Sequence, residues 1–194
     1  MKCDIVIAGV GGQGVLSISA IIASALLRQG WQAKQSEVHG MSQRGGAVEA
    51  HLRLSDEPIY SDLIAQANAD LIVAMEPVES LRYVGFLSPE GTLLASADPF
   101  LNIPNYPDLE EILAAIRAIP NARIVEAEKL AREAGSAKAA NMVMVGATSW
   151  RLPVEPEPLE TEIEAAFRAK GSRIVEINIE AFRLGREATK PFAA

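Results

Sequence analysis

Two short segments hold most of the residues whose types and spacing suit chemistry. The first is Gly9-Val10-Gly11-Gly12-Gln13-Gly14, a G-x-G-x-x-G run between an apolar stretch and a helical one. Glycines let the backbone turn tightly and let a ligand come close. The helix start beyond them offers free N–H groups and a positive dipole end to a phosphate. Three readings stay open: a dinucleotide site, a site for another phosphate-bearing or acyl carrier, and a turn needed only for close helix–sheet packing. A dinucleotide site calls for an acid about 20 residues on, at the end of the second strand, to grip the ribose. That neighbourhood reads Ala33-Lys34-Gln35-Ser36, and Glu37 comes late, so the motif is half complete.

The second segment is His39-Gly40-Met41-Ser42-Gln43-Arg44-Gly45-Gly46. Its permanent cation, hydroxyl, amide and imidazole, set among glycines, suit it to hold an anion. The alternative is a solvated connector. Further candidates are single residues. Glu76 follows an apolar run and precedes Pro77, where open α/β sheets bind ligands, although a helix-start acid also serves as a cap. Lys138 and Asn141 begin an Ala/Met-rich helical stretch whose Met and Val side chains read as core. No G-x-S-x-G elbow is present. Cys3 is the single cysteine, so there is no internal disulfide and no cysteine-rich cluster. His39 and His51 build no zinc site with it unless carboxylates help.

These residues need a frame, and the pattern of the chain supplies one. Asp4–Val10 is a short, β-branched run ending in glycines, a buried strand. Gln13–Gln29 carries Ile18, Ile21, Ile22, Ala25 and Leu26 on one helical face, with Gly30 as C-cap. Trp31–Val38 reads as a strand, and Val48 to Leu54 alternates like a half-buried one. Leu71–Met75 is a strand and Pro77–Leu87 a helix opened by proline. Pro89-Glu90-Gly91 turns into the strand Thr92–Ser96. Leu109–Ile119 is a helix, Arg123–Glu126 a strand, and Ala127–Ala134 and Ala137–Trp150 are helices. The alternation predicts an α/β fold: an open, mainly parallel, Rossmann-like sheet with helices on both faces. The prolines of Leu152-Pro153-Val154-Glu155-Pro156-Glu157-Pro158 predict a stiff connector. It divides a body, residues 1–151, from a C-terminal helical extension, residues 152–194, that packs on the body or on a partner.

The chain has 194 residues, 49% hydrophobic and 22% charged, enough for one packed domain without a disulfide or metal staple. Its net charge of −7, with no basic stripe, argues against a nucleic-acid phosphate backbone as partner. The longest apolar stretch, Val15 to Leu27, is interrupted by serines and too short to span a bilayer. No secretory signal is read at the start, so the expected place is the cytoplasm, with Cys3 reduced.

In this order the segments resemble a known family. Ile7 to Val15 is similar to the opening of the gamma-type subunit of 2-oxoacid:ferredoxin oxidoreductases, and Ser42-Gln43-Arg44-Gly45-Gly46 is similar to that family's Arg-Gly-Gly loop. Asp70 to Pro77, Pro89 to Leu93, Asn141 to Gly146 and Asn178 to Gly185 match in register, so the resemblance spans nearly the whole chain. The run His39 to Arg44 looks most like the indolepyruvate branch. Pyruvate and 2-oxoglutarate members more often carry Ser-Tyr-Gly-Pro there. The resemblance implies oxidative decarboxylation of an aryl 2-oxoacid with coenzyme A, giving an acyl-CoA, carbon dioxide and two electrons for ferredoxin. It implies thiamine diphosphate, magnesium and [4Fe–4S] clusters in a larger partner subunit. The chain itself has neither the cysteines nor a Gly-Asp-Gly segment with following Asn residues. On this reading His39, Ser42, Gln43, Arg44, Gly45 and Gly46 form an active-site loop. Gly9, Gly11, Gly12, Gln13 and Gly14, with Asn141, face coenzyme A or another phosphate. Two further readings remain, a stand-alone NAD(P)-dependent reductase and a non-catalytic nucleotide-binding assembly module.

Overall fold

The computed structural model describes residues 1–39, 45–101 and 104–190. They form a six-stranded sheet, in the order β2-β3-β1-β4-β5-β6. The strands are β1 (Lys2–Val10), β2 (Gln32–His39), β3 (Ala47–Ser55), β4 (Ala69–Ala74), β5 (Leu87–Ser96) and β6 (Ala122–Val125). β1, β4, β5 and β6 pair in parallel. β3 runs antiparallel to both β1 and β2, so β2 points the same way as β1. The sheet is mainly parallel, with β3 as its one reversed strand.

Alternation along the strands sorts the core into two halves. Ile5 and Ile7 of β1 face one side, with Leu71 and Val73 of β4. Val6 and Ala8, with Ile72 and Ala74, face the other. The first side is covered by α1 (Val15–Leu27), α4 (Ala127–Glu133), α5 (Ala140–Thr148), α6 (Pro156–Phe167) and α7 (Ser172–Ala188). The second is covered by α2 (Pro77–Arg82) and α3 (Leu109–Arg117), whose Ile112, Leu113 and Ile116 are buried.

Three local expectations change. The helix from Pro77 ends at Arg82, and a 3-10 turn over Val84–Phe86 leads directly into β5. Pro89-Glu90-Gly91 is not a turn before that strand but lies within it, where the register shifts opposite Ala69 and Leu71. A bulge keeps the proline out of the ladder, which the sequence pattern does not reveal. Pro156 does not prolong the connector: it opens α6, where its missing N–H costs nothing. α6 and α7 contribute Leu159, Ile163, Ala181 and Phe182 to the same core as α1 and α5.

Cys3 is buried in β1, and burial, with Asp70 and Asp4 nearby, pushes its thiol up to about 12. The native thiol is therefore expected to resist a thiolate-specific reagent at pH 8 and to react fully in denaturant. Fast stoichiometric labelling of native protein contradicts the placement.

Candidate functional site

Chain direction reverses at the centre of the sheet. From β1 the chain passes through α1 to β2 at one edge. From β4 it passes through α2, on the opposite face, to β5. In open α/β sheets the crevice outside the carboxyl ends of two such strands is where ligands bind. Here it lies between Gly9–Gly14 after β1 and Met75-Glu76 after β4.

The glycine turn is held by its own glutamine. Gln13 Oε1 accepts from the Val10 N–H at 2.8 Å, and its Nε2 donates to the Met75 carbonyl at 3.1 Å. The Gln13 side chain is thus spent on fixing the turn to β4, a role that its place inside a ligand motif conceals. A Cβ on Gly9 would lie 3.0 Å from Gln13, Met75 and Val15 atoms, so Gly9 serves packing. Gly12 has φ +108° and open space above it. Gly14, with φ +83°, caps α1 and offers no side-chain hydrogen bond. A Cβ there would stand 2.5 Å from Asn141 Nδ2.

The two glycine segments meet. The Gly11 N–H donates to the Gly46 carbonyl at 2.8 Å, and the Gly45 N–H donates to the Gly11 carbonyl at 3.2 Å. The strand direction explains it: β2 ends at the same edge as β1, and β3 starts there. Gly40, Met41, Ser42, Gln43 and Arg44 lie outside the described residues, as does the His39 side chain.

Asn141 sits in the first turn of α5 and is 8% exposed. Its Oδ1 is buried with no hydrogen-bond partner among the described residues. A buried amide oxygen left unpaired costs about 1–3 kcal/mol. It borders a cleft of about 130 Å³, together with Gly12, Gln13, Asp98 and Lys138. Asp98 is already engaged: its Oδ2 accepts from the Ser96 hydroxyl and from the Glu128 N–H, both at 2.8 Å. Lys138 is exposed at the rim. The cleft thus offers a helix start without a side-chain cap, an open glycine, a cation and an orphaned acceptor.

A second cleft, of about 170 Å³, lies beside Gly45 and is lined by Val10, Glu76, Glu79, Phe100 and Tyr106. Glu76 is buried and fully used. Its Oε2 caps α2 at the Glu79 N–H, and its Oε1 accepts from the Tyr106 hydroxyl and the Phe100 N–H. The capping reading of Glu76 is therefore the one the geometry supports. Burial and the adjoining Glu76 carboxylate push the Tyr106 phenol well above its ordinary range, so it stays a donor. Burial also pushes the Glu79 carboxyl up, against the opposing pull of Arg82. Tyr106 carries no signal in the sequence, because thirty residues separate it from Glu76 and no local pattern links them.

Glu37 lies on β2, and β3 stands between β2 and β1. Two strand spacings, about 9–10 Å, separate that acid from the strand carrying the glycine turn, which disfavours a ribose grip. No group of His, Cys, Asp and Glu suited to a metal occurs among the described residues.

The profile of the pyruvate ferredoxin/flavodoxin oxidoreductase family matches residues 4–188. The chain belongs to this family. It is 37% identical over 194 residues to an indolepyruvate oxidoreductase subunit IorB of Archaeoglobus fulgidus, covering 95% of this chain and 94% of that one. It is 37% identical over 195 residues to the subunit of the same name in Pyrococcus horikoshii, covering 96% of each. Among solved structures, pyruvate oxidoreductase subunit PORC of Thermotoga maritima superposes with a TM-score of 0.73 at 26% identity, covering 96% of both chains. In this member of the pyruvate ferredoxin/flavodoxin oxidoreductase family, the glycine turn, the Gly45–Gly46 contact and the Asn141 cleft lie together at the carboxyl end of β1.

Left-handed backbone gives a direct check on the Asn141 contact. Gly30 and Gly14 have φ +84° and +83°, but a Cβ on Gly30 meets nothing. Gly30→Ala is expected to cost about 1–2 kcal/mol from conformation alone. Gly14→Ala is expected to cost at least about 1 kcal/mol more, because Asn141 must move. Urea midpoints measure both, and equal losses contradict the packing described.

Proposed function

We propose that the chain is the non-thiamine-binding subunit of a 2-oxoacid:ferredoxin oxidoreductase, acting on indolepyruvate or a related aryl pyruvate. The reaction is oxidative decarboxylation to an acyl-CoA, with two electrons passed to ferredoxin. The observation that carries this reading is the full-length likeness to indolepyruvate oxidoreductase subunits, within a family match over residues 4–188.

Thiamine diphosphate, magnesium and iron–sulfur clusters belong to a larger partner subunit on this reading. The donor set of this chain does not fit a cluster: its single thiol is buried in β1 and held protonated. Coenzyme A is the co-substrate. Its phosphates suit the uncapped start of α1 at Gly12 and Gly14, with Lys138 at the rim and Asn141 Oδ1 accepting a donor from the ligand. The His39–Gly46 segment lies at the partner interface beside the reacting centre. One end closes β2 at His39 and the other bonds to the glycine turn through Gly45 and Gly46, and the same edge of the molecule exposes Leu16, Val38, Phe100 and Leu101. We place the complex in the cytoplasm. No described helix is long and apolar enough to cross a membrane.

Calorimetric titration of the purified chain with coenzyme A and with NADH tests the site. Binding of coenzyme A, weakened by Asn141→Ala, is expected. Binding of NADH alone points to the reductase reading and overturns this one. The isolated chain is expected to turn over no 2-oxoacid, and stoichiometric iron or unaided turnover contradicts the division of labour.

A further inference from the structure

The end of the sheet opposite the glycine turn carries a second organised surface. Arg53, near the end of β3, holds the buried Asp4 carboxylate with two hydrogen bonds, of 2.8 and 3.1 Å. Its remaining nitrogen donates to the carbonyls of Ser61 and Leu63 at 3.2 and 3.3 Å. The Ser61 hydroxyl accepts from the Leu63 N–H at 3.2 Å. An ion pair rooted in β1 thus fixes the backbone of a surface loop. That loop presents Leu63 at 55% exposure and Tyr60 at 92%, and Tyr60 lines a cleft of about 470 Å³ shared with Met1. A rigid loop that leaves a tyrosine almost wholly in water gains nothing for the fold from that side chain. Tyrosine with apolar neighbours on a fixed backbone is the composition of an interface anchor.

Charge narrows the occupant. Glu57 beside the loop and Asp62 within it have no cationic partner among the described residues, and Asp70 accepts from the Asp4 N–H at the root of the ion pair, whereas Lys2 is taken by Asp4 and the Met1 amine by Asp56. The surface is acidic on a chain of net charge −7. Nucleic acid and anionic lipid are repelled, and a second copy would set like charges together.

We propose that the Pro58–Leu63 loop docks on a basic, apolar-pocketed surface of the larger subunit, a contact separate from the one at the glycine edge. The proposal rests on the functional reading above, which requires that subunit. Tyr60 enters the pocket, Leu63 packs at its rim, and Glu57 and Asp62 pair with lysines or arginines around it.

The test is the affinity of the purified chain for the purified larger subunit, measured by titration at two salt concentrations. Tyr60→Ala with Leu63→Ala is expected to weaken association about tenfold or more, and Asp62→Lys to weaken it and flatten its salt dependence. Both variants should melt as wild type, because the side chains changed are exposed. Wild-type affinity in both variants overturns the inference and leaves the functional reading standing. Absence of any binding by the wild-type chain overturns both. Loss of self-association in the variants, with subunit binding intact, assigns the loop to a second copy and overturns the proposal.

Discussion

Gly146→Ala and Gly185→Ala are each expected to destabilise the chain by about 3 kcal/mol or more, the largest stability losses among single methyl additions here. The reason is backbone contact between α5 and α7. A Cβ on Gly146 would sit inside the contact distance of the Phe182 carbonyl oxygen and 2.8 Å from the Arg186 nitrogen. A Cβ on Gly185 would likewise run into the Val143 carbonyl oxygen and stand 2.7 Å from its carbon. No flexible side chain is available to yield, so the helices must separate. Separation loosens Phe182, which is fully buried between them, and the Trp150–Arg186 stack with its 2.8 Å indole hydrogen bond to the Arg186 carbonyl. For a chain of this size the loss lowers the melting temperature by roughly 6–12 °C. Calorimetry measures it. A drop of only a degree or two would mean that the helices do not cross as described.

Arg44→Ala is expected to leave the fold intact and to cut turnover of the assembled complex about tenfold or more. A lost charge-assisted contact is worth about 1.5–3 kcal/mol. Arg44 lies outside the described residues, but both ends of its segment are fixed: His39 closes β2, and Gly45 and Gly46 bond to Gly11. A permanent cation carried by a segment whose Gly45 and Gly46 bond to the glycine turn suits a carboxylate or diphosphate arriving at the sheet's crevice. Arg44→Lys should recover little if the contact is bidentate. Unchanged kcat and KM in the Ala variant, with assembly confirmed, reduce the segment to a connector.

Much of this arrangement is legible in the residues. The apolar run Ile5–Ala8, the glycines after it and the helical spacing of Ile18, Ile21, Ile22 and Leu26 name a strand–turn–helix unit, because each local preference agrees with the fold. The shared edge of the two glycine segments also follows, since it needs only the direction of β2. What the residues conceal are non-local pairings. The insertion of β3 between β1 and β2 depends on which edges meet, and alternation in Val48–Leu54 is the same whichever neighbour it takes. Gln13 reads as a motif residue until Met75, sixty-two positions away, accepts its amide. Pro89 reads as a turn because the bulge that shelters it is a property of the pair, not of the strand. The orphaned Asn141 oxygen is a matter of packing against Gly14, and helix periodicity carries no sign of it.

The central claim, that this chain completes an aryl 2-oxoacid:ferredoxin oxidoreductase, is tested most directly by one assay. The larger subunit, loaded with thiamine diphosphate and its clusters, is given indolepyruvate, coenzyme A and oxidised ferredoxin, with and without this chain. The account predicts ferredoxin reduction and acyl-CoA formation only when the chain is present, and faster with indolepyruvate than with pyruvate or 2-oxoglutarate. Equal rates with and without the chain would contradict it.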